Sequence, residues 1–152
     1  MTLNFHGIRK KLLLGFAAAV LVAVVVFCAL AAGAPGGGVP GGENEERVRF
    51  LASCGWQVDA EPLAVQEVQI PAEFSDVYER YSEINEQAGF DLHAVAGKAC
   101  RQYRYRVTNY QGEEAVYATL LTCDSRIVGG DVASAAMDGF MLPLRQQGES
   151  SG

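Results

Sequence analysis

The chain has few of the residue patterns from which enzyme active sites and metal centres are commonly built. It has two histidines, and after residue 42 the one histidine is His93. It has four cysteines, but no two of them have the C-x-x-C spacing of a zinc ribbon or a redox motif. The glycine-rich run at 36–42 has no Lys-Ser/Thr after it, so it is not a phosphate-binding loop. We therefore expect no catalytic, cofactor-binding or metal-binding residues and a protein that is not an enzyme.

Three alternatives to this expectation depend on His93. A nucleophilic Cys–His pair would need His93 beside Cys54, Cys100 or Cys123, together with a third group that orients the imidazole. A zinc ion bound by the three cysteines and His93 is allowed by the count, but the spacing matches no known zinc pattern. A serine triad would depend on the same histidine. We interpret His93 as a loop residue without a chemical role.

Acidic residues are absent before Glu43. The part of the chain after residue 42 holds all 18 acidic residues and nine of the 12 basic ones, a net charge of −9. This charge disfavours binding to nucleic acid or to anionic polymers, which requires a basic surface. Five acids of the second predicted helix lie mostly opposite its apolar stripe, which indicates a solvated face or a surface for a basic partner: Glu73, Asp76, Glu79, Glu83 and Glu86.

A stretch without any charge, residues 12–32, predicts a transmembrane helix. Its 21 residues would span about 30 Å as a helix, the thickness of the hydrocarbon core. The bases Arg9, Lys10 and Lys11 precede it, which predicts a cytoplasmic segment 1–11 and a domain outside the cell. Residues 33–42 read as a Gly/Pro tether. The alternative is a signal peptide cleaved near residues 29–34, which would release a secreted protein.

The remaining residues predict an α+β domain over 43–145 and a disordered tail over 146–152. The pattern indicates one or two helices on one face of an antiparallel sheet that ends in a three-stranded meander. The predicted elements are a helix 43–54, an edge strand 58–70, a helix 72–88, and strands 98–109, 115–123 and 126–134, the last with a bulge at Gly129-Gly130. The apolar stripe of the second helix is expected to face the sheet residues Tyr103, Tyr105, Val107, Val116, Ala118 and Leu120; the stripe consists of Phe74, Val77, Tyr78, Tyr81 and Ile84.

The strands 98–109 and 115–123 allow a test of register. With a two-residue loop at Gln111-Gly112, Tyr103 faces Leu120, Tyr105 faces Ala118, and Val107 faces Val116, all on one face. The same register places Cys100 opposite Cys123, within reach of a disulfide, while Cys54 stays reduced. A four-residue loop at 111–114 would instead place Gln102 opposite Cys123.

The other face of this hairpin carries Arg104, Arg106 and Tyr117. Tyrosine beside arginine is typical of sugar- and peptide-binding surfaces, so these residues are the candidate binding face. The alternative is a solvated sheet face with cross-strand pairs. Tyr103 and Tyr105 belong to the apolar face and are expected in the core.

Several segments of the chain resemble an uncharacterised bacterial family, domain of unknown function 4830. The segments are 47–58 (RVRFLASCGWQV), 70–74 (IPAEF), 89–92 (GFDL), 103–110 (YRYRVTNY) and 129–132 (GGDV), and the resemblance extends over roughly 43–141. It implies a short, membrane-anchored protein of Gram-positive, largely clostridial-type bacteria, with no assigned activity, cofactor or site. Where members often have Asp-Gly between the last strands, this chain has Asp124-Ser125, which leaves the turn type open.

These patterns together favour a non-enzymatic, single-pass protein of the cell membrane whose outer domain binds an envelope component, such as a cell-wall partner, or another membrane protein. The alternatives are an envelope hydrolase, or an inhibitor or regulator of an envelope protease or signalling protein. A concave pocket with convergent titratable groups would favour the hydrolase, and a flat sheet would favour binding.

Overall fold

Six strands form one antiparallel sheet in the computed structural model, which describes residues 38–113 and 115–145. The elements in chain order are β1 Val39–Pro40, α1 Asn44–Ser53, β2 Ala64–Gln69, α2 Asp76–Gln87, a 3₁₀ helix Leu92–Val95, β3 Ala99–Arg106, β4 Val116–Cys123, β5 Arg126–Ser134 and β6 Met141–Leu142. The strand order is β1-β5-β4-β3-β2, and β6 also pairs with β5. The predicted α+β class and the meander β3–β4–β5 are confirmed. The predicted segments 1–11, 12–32 and 146–152 lie outside the described residues.

Both helices begin and end at local signals. Glu43 and Glu46 form a capping box at the start of α1. At its end Gly55 has φ +91°, and the Trp56 N–H donates to the Leu51 carbonyl at 2.9 Å. Helix α2 begins four residues later than predicted, because the Ser75 hydroxyl accepts from the Tyr78 N–H and caps the helix there.

The predicted register of the central hairpin is confirmed. Tyr103 pairs with Leu120 and Tyr105 with Ala118, and the Val107 N–H donates to the Val116 carbonyl. The predicted two-residue turn at Gln111-Gly112 is wrong, because the strands part after Val107. The Thr108 N–H turns to the Gln57 carbonyl instead, and 108–115 form a longer loop.

The two helices lie on opposite faces of the sheet, which corrects the prediction of helices on one face. Helix α1 covers the first face, where Phe50 and Leu51 pack on the six sheet residues that were expected beneath the second helix. Helix α2 and the 3₁₀ helix cover the other face, where Phe74, Tyr78 and Tyr81 pack on Cys100, Leu121 and Cys123. Val77 is 78% exposed and does not belong to the core.

Strand β5 explains why α2 docks on that second face. Val128 is an extra residue opposite the Leu121/Thr122 step, so the predicted bulge lies one residue before Gly129. A Cβ at Gly129 would lie 2.5 Å from the Asn85 Oδ1 atom. The buried Asn85 side chain accepts from the Gly130 N–H at 2.7 Å, at an edge of β5 between the residues that pair with β1 and with β6.

Part of the predicted Gly/Pro tether belongs to the sheet. Residues 39–40 form β1, which pairs with Ile127 and Arg126, and the Gly41 N–H donates to the Ser125 carbonyl at 3.0 Å. A Cβ at Gly41 would lie 2.5 Å from Ile127 Cγ1. Glycine is therefore required here by close packing, and the folded domain begins by residue 38 rather than 43.

Among residues 38–113 and 115–145, no helix has the length and apolar character needed to cross a membrane.

Candidate functional site

The candidate binding residues lie on the half of the second sheet face that α2 leaves uncovered. Cross-strand pairing places Arg104 beside Thr119 and Arg106 beside Tyr117, and Gln66 pairs with Gln102 in the neighbouring row. Directly opposed residues of a sheet share a face, so these side chains form one surface. We name five of them the open face: Gln66, Gln102, Arg104, Arg106 and Tyr117.

The three predicted residues Arg104, Arg106 and Tyr117 are brought together in the structure. The Arg104 guanidinium carbon lies 4.1 Å from the centroid of the Tyr117 ring, a cation–π contact. Arg106 lies directly opposite Tyr117 in the β3–β4 register. Both arginines are exposed and Tyr117 is half-buried, so the cluster is accessible and one of its cations is held on an aromatic ring.

The open face ends at a buried carboxylate beside α2. Asp131 lies next to Thr119 in the same cross-strand row as Arg104, and the Tyr81 hydroxyl donates to its Oδ1 at 2.8 Å. Burial raises the pKa of Asp131 to about 6, although the Tyr81 hydrogen bond and the Arg104 charge act in the opposite direction. Burial, with the charge of Asp131, also raises the pKa of Tyr81. Apart from the alternation of β5, no sequence pattern indicates that Asp131 and Tyr81 form a pair.

The amides Gln66 and Gln102 are a second part of the open face that sequence reasoning missed. Gln66 Nε2 donates to Gln102 Oε1 at 2.9 Å across β2 and β3. The missed signal is the register of β2, which pairs Val65 with Tyr103 and therefore puts Gln66 on the same face as Arg104. The alternation of side chains along β2 can be read from the sequence, but the offset of β2 relative to β3 cannot.

Tyr103 and Tyr105 lie in the core, as expected, and hold a buried cation. Arg47 of α1 stacks on the Tyr103 ring at 3.7 Å and donates to the Tyr105 hydroxyl at 2.9 Å. It also donates to the carbonyls of Gly41 and Gly42. Burial raises the pKa of Tyr105, and the Arg47 hydrogen bond lowers it. This arrangement is structural, because Arg47 is 5% exposed and faces away from the open face.

The structure does not assemble His93 with a cysteine. The imidazole stacks on Phe74 with ring centroids 4.1 Å apart, and its Nε2 lies 3.1 Å from a Glu79 carboxylate oxygen. Cys54 packs at the margin of the α1 cluster, on the other side of the sheet from α2. Within the described part of the chain, no three His, Cys, Asp or Glu side chains are placed to hold a metal ion.

Cys100 and Cys123 are joined by a disulfide, with their Cα atoms 4.6 Å apart. That separation is typical of a non-hydrogen-bonded pair on antiparallel strands. Both residues are 5% exposed and lie under the 3₁₀ helix and α2. The disulfide therefore belongs to the hydrophobic core of the second face, and Cys54 is a free thiol.

Comparison with known proteins gives a family but no function. Searches of curated proteins and of solved structures each found no match. Residues 50–132 match the family described as Domain of unknown function (DUF4830), and this segment runs from α1 to near the end of β5. Since more than half of the chain is matched, the chain belongs to the DUF4830 family.

Proposed function

We propose that the chain is a non-enzymatic, membrane-tethered protein whose extracytoplasmic domain binds an envelope component or another membrane protein through the open face. The observation that carries this proposal is the half-covered second face of the sheet. Helix α2 buries Cys100, Leu121 and Cys123 on one half of that face. The other half presents arginines, amides and a half-buried tyrosine, a composition typical of binding surfaces.

The attachment point of the domain supports a surface that is free to meet a partner. The chain enters the domain through β1, which pairs with Arg126 beside the β4–β5 turn. Tyr117 is near the other end of β4, six residues or about 20 Å from Cys123, and Arg106 lies opposite Tyr117 on β3. The described chain therefore enters the domain at the end of the β4–β5 hairpin that lies farther from Arg106 and Tyr117.

The membrane part of the proposal rests on the uncharged segment 12–32 with its preceding bases. It predicts that a protease added to intact cells removes the domain while an N-terminal epitope stays protected. Release of a soluble protein that starts near residue 32 would identify the segment as a cleaved signal and overturn the anchor.

The binding part is tested by photo-crosslinking in intact cells. A photoreactive phenylalanine replaces Tyr117 on the open face or, as the matched control, Val77, which is 78% exposed on α2. We expect a discrete adduct from position 117 and none of the same mass from position 77. Equal adducts from both positions, or none from position 117, would contradict a partner on the open face. An adduct with an envelope protease or signalling protein would favour the regulator.

A further inference from the structure

We infer that the open face binds an isolated carboxylate of a peptide, held between the guanidinium groups of Arg104 and Arg106. This inference rests on the proposed function and names the chemistry of its ligand. The basic residues of the domain are unevenly placed, since three of the nine lie on β3 and all three are exposed. Arg104 and Arg106 lie on the open face. Arg101 is an odd number of residues from both along the strand, so its side chain lies on the first face of the sheet.

The spacing of the two arginines fits one carboxylate group. Residues two apart on a strand project from the same face about 7 Å apart, so one anion between them is within reach of both guanidinium groups. The contact with Tyr117 holds the Arg104 guanidinium over the ring and leaves its N–H edges free to donate. Arginine pairs with carboxylates through parallel N–H···O bonds, which are stronger than hydrogen bonds between neutral groups.

Neither arginine has an acidic partner among the residues that the structure describes. The only ion pair within 4.0 Å there joins His93 and Glu79 on the far half of the face. Asp131 in the same row interacts with the Arg104 charge from more than 4.0 Å away, and it is 6% exposed and accepts from the Tyr81 hydroxyl. The two cations are therefore available to a ligand.

The charge around the open face selects an isolated anion over a polyanion. The region after residue 42 has a net charge of −9, and the acids Asp76, Glu79, Glu83 and Glu86 lie on the helix over the other half of this face. These acidic side chains repel a polymer with repeated negative charges. A single carboxylate on an otherwise uncharged molecule instead interacts with the two arginines at short range.

The neighbouring amides favour a peptide as the carrier of the carboxylate. The hydrogen-bonded pair Gln66 and Gln102 lies one row, or about 7 Å, from Arg104 on the same face. Side-chain amides have both donors and acceptors, and they match the N–H and C=O of a peptide group. A ligand whose carboxylate lies at the arginines therefore reaches the two glutamines with its second or third peptide unit.

The test is an NMR titration of the full-length chain in neutral detergent micelles. The probe is acetyl-Ala-Ala-Ala with a free carboxylate, and the matched ligand is its C-terminal amide. We expect saturable shifts of the Arg104 and Arg106 Nε–H signals with the carboxylate at millimolar concentration, and no saturable shift with the amide. The variant R104Q/R106Q is expected to weaken binding at least tenfold, whereas R101Q, with a charge change on the other face, changes it less than twofold.

Three results would overturn the inference. They are equal binding of the amide peptide, an equal loss of binding in R101Q, and tighter binding of inorganic phosphate or polyglutamate than of the carboxylate peptide. The crosslinking experiment separates this inference from the proposed function. If position 117 forms its adduct but the carboxylate peptide does not bind, the ligand chemistry is wrong and the binding face stands.

Discussion

The guanidinium group of Arg47 is a buried cation that has uncharged partners around it. It donates to the carbonyls of Gly41 and Gly42 and to the Tyr105 hydroxyl, and it stacks on Tyr103. The Tyr105 hydroxyl in turn donates to Asn44 Oδ1 at 2.8 Å. Because both glycines follow β1, this one side chain fastens the entry segment of the domain to α1 and to the sheet.

Replacing Arg47 by alanine should lower the free energy of unfolding by roughly 2–4 kcal/mol, because the buried Tyr105 hydroxyl and a glycine carbonyl lose their donors. The Gly41 amide should also exchange faster with solvent, as the entry segment loosens. Arg49→Ala, an exposed change on the same helix, should alter stability by only a few tenths of a kcal/mol. Equal effects in denaturant unfolding would show that Arg47 does not hold the segment.

Asp131 makes stability depend on pH in the direction opposite to that of most carboxylates. Its pKa is raised from 3.8 to about 6, so the folded state binds the proton more tightly than the unfolded state does. The stabilisation is complete below about pH 4 and is lost as the pH rises through about 6. Its full size is up to about 3 kcal/mol, from the shift in pKa.

The substitution Asp131→Asn should therefore remove this pH dependence. Unfolding free energies measured between pH 4 and 7 should fall with pH in the unmodified protein and stay nearly level in the variant. Asp138→Asn, at an exposed position, should keep the original slope. Parallel slopes for all three proteins would contradict the raised pKa of Asp131.

At the scale of elements, the turn between β4 and β5 has a residue that does not suit its backbone. Asp124 and Ser125 have φ of 50° and 62°, the left-handed conformation of a two-residue I′ turn, which favours glycine at the second position. Ser125→Gly should raise the unfolding free energy by about 0.5–1 kcal/mol, since relief of strain outweighs the added freedom of the unfolded chain. Ser125→Val should destabilise instead, and the opposite order in thermal unfolding would refute the turn geometry.

The disulfide joins two central strands that also pair by hydrogen bonds, so we expect the domain to fold without it. The linked residues are 23 positions apart, and closing a loop of this length contributes roughly 3 kcal/mol through the unfolded state. The variant C100A/C123A should unfold cooperatively with stability lower by about that amount. Cys54→Ala, which changes the free thiol, serves as the control. A C100A/C123A domain that is unfolded at 25 °C would contradict this expectation.

Period-two alternation in β3 and β4 predicts that Tyr103 and Tyr105 share a face with Ala118 and Leu120, but it allows registers that differ by two residues. The structure has the register that pairs Tyr103 with Leu120. The face covered by α2 was not predictable from the helix itself, since its stripe of Phe74, Tyr78 and Tyr81 fits either side of a sheet. Leu121 and Cys123 on β4 indicate where α2 packs. They make one end of the second sheet face apolar, whereas the other residues of that face on β3 and β4 are mostly polar. The neighbouring Gly129 leaves room for the helix, because a Cβ there would lie 2.5 Å from the Asn85 Oδ1 atom.

At the scale of the whole molecule, the sheet is covered by α1 on one face and half-covered by α2 on the other. The three arginine and tyrosine residues of the site followed from the hairpin register, which needs only local pairing. Gln66, Asp131 and Tyr81 did not follow, because their positions depend on the offset of β2 and on the docking of α2. The tether was misjudged for a similar reason, since only the packing of Gly41 on Ile127 marks it as part of the fold.

Arg104 and Arg106 are the residues that we propose to bind the partner of this domain on the open face. The most direct measurement is the crosslink yield from position 117 in intact cells for two double variants with the same loss of charge, R104Q/R106Q and R49Q/R101Q. Arg49 and Arg101 are exposed and lie away from the open face. We predict that the adduct is lost in R104Q/R106Q and retained in R49Q/R101Q at equal protein levels. Retention in both variants, or equal loss in both, would contradict binding of the partner by Arg104 and Arg106.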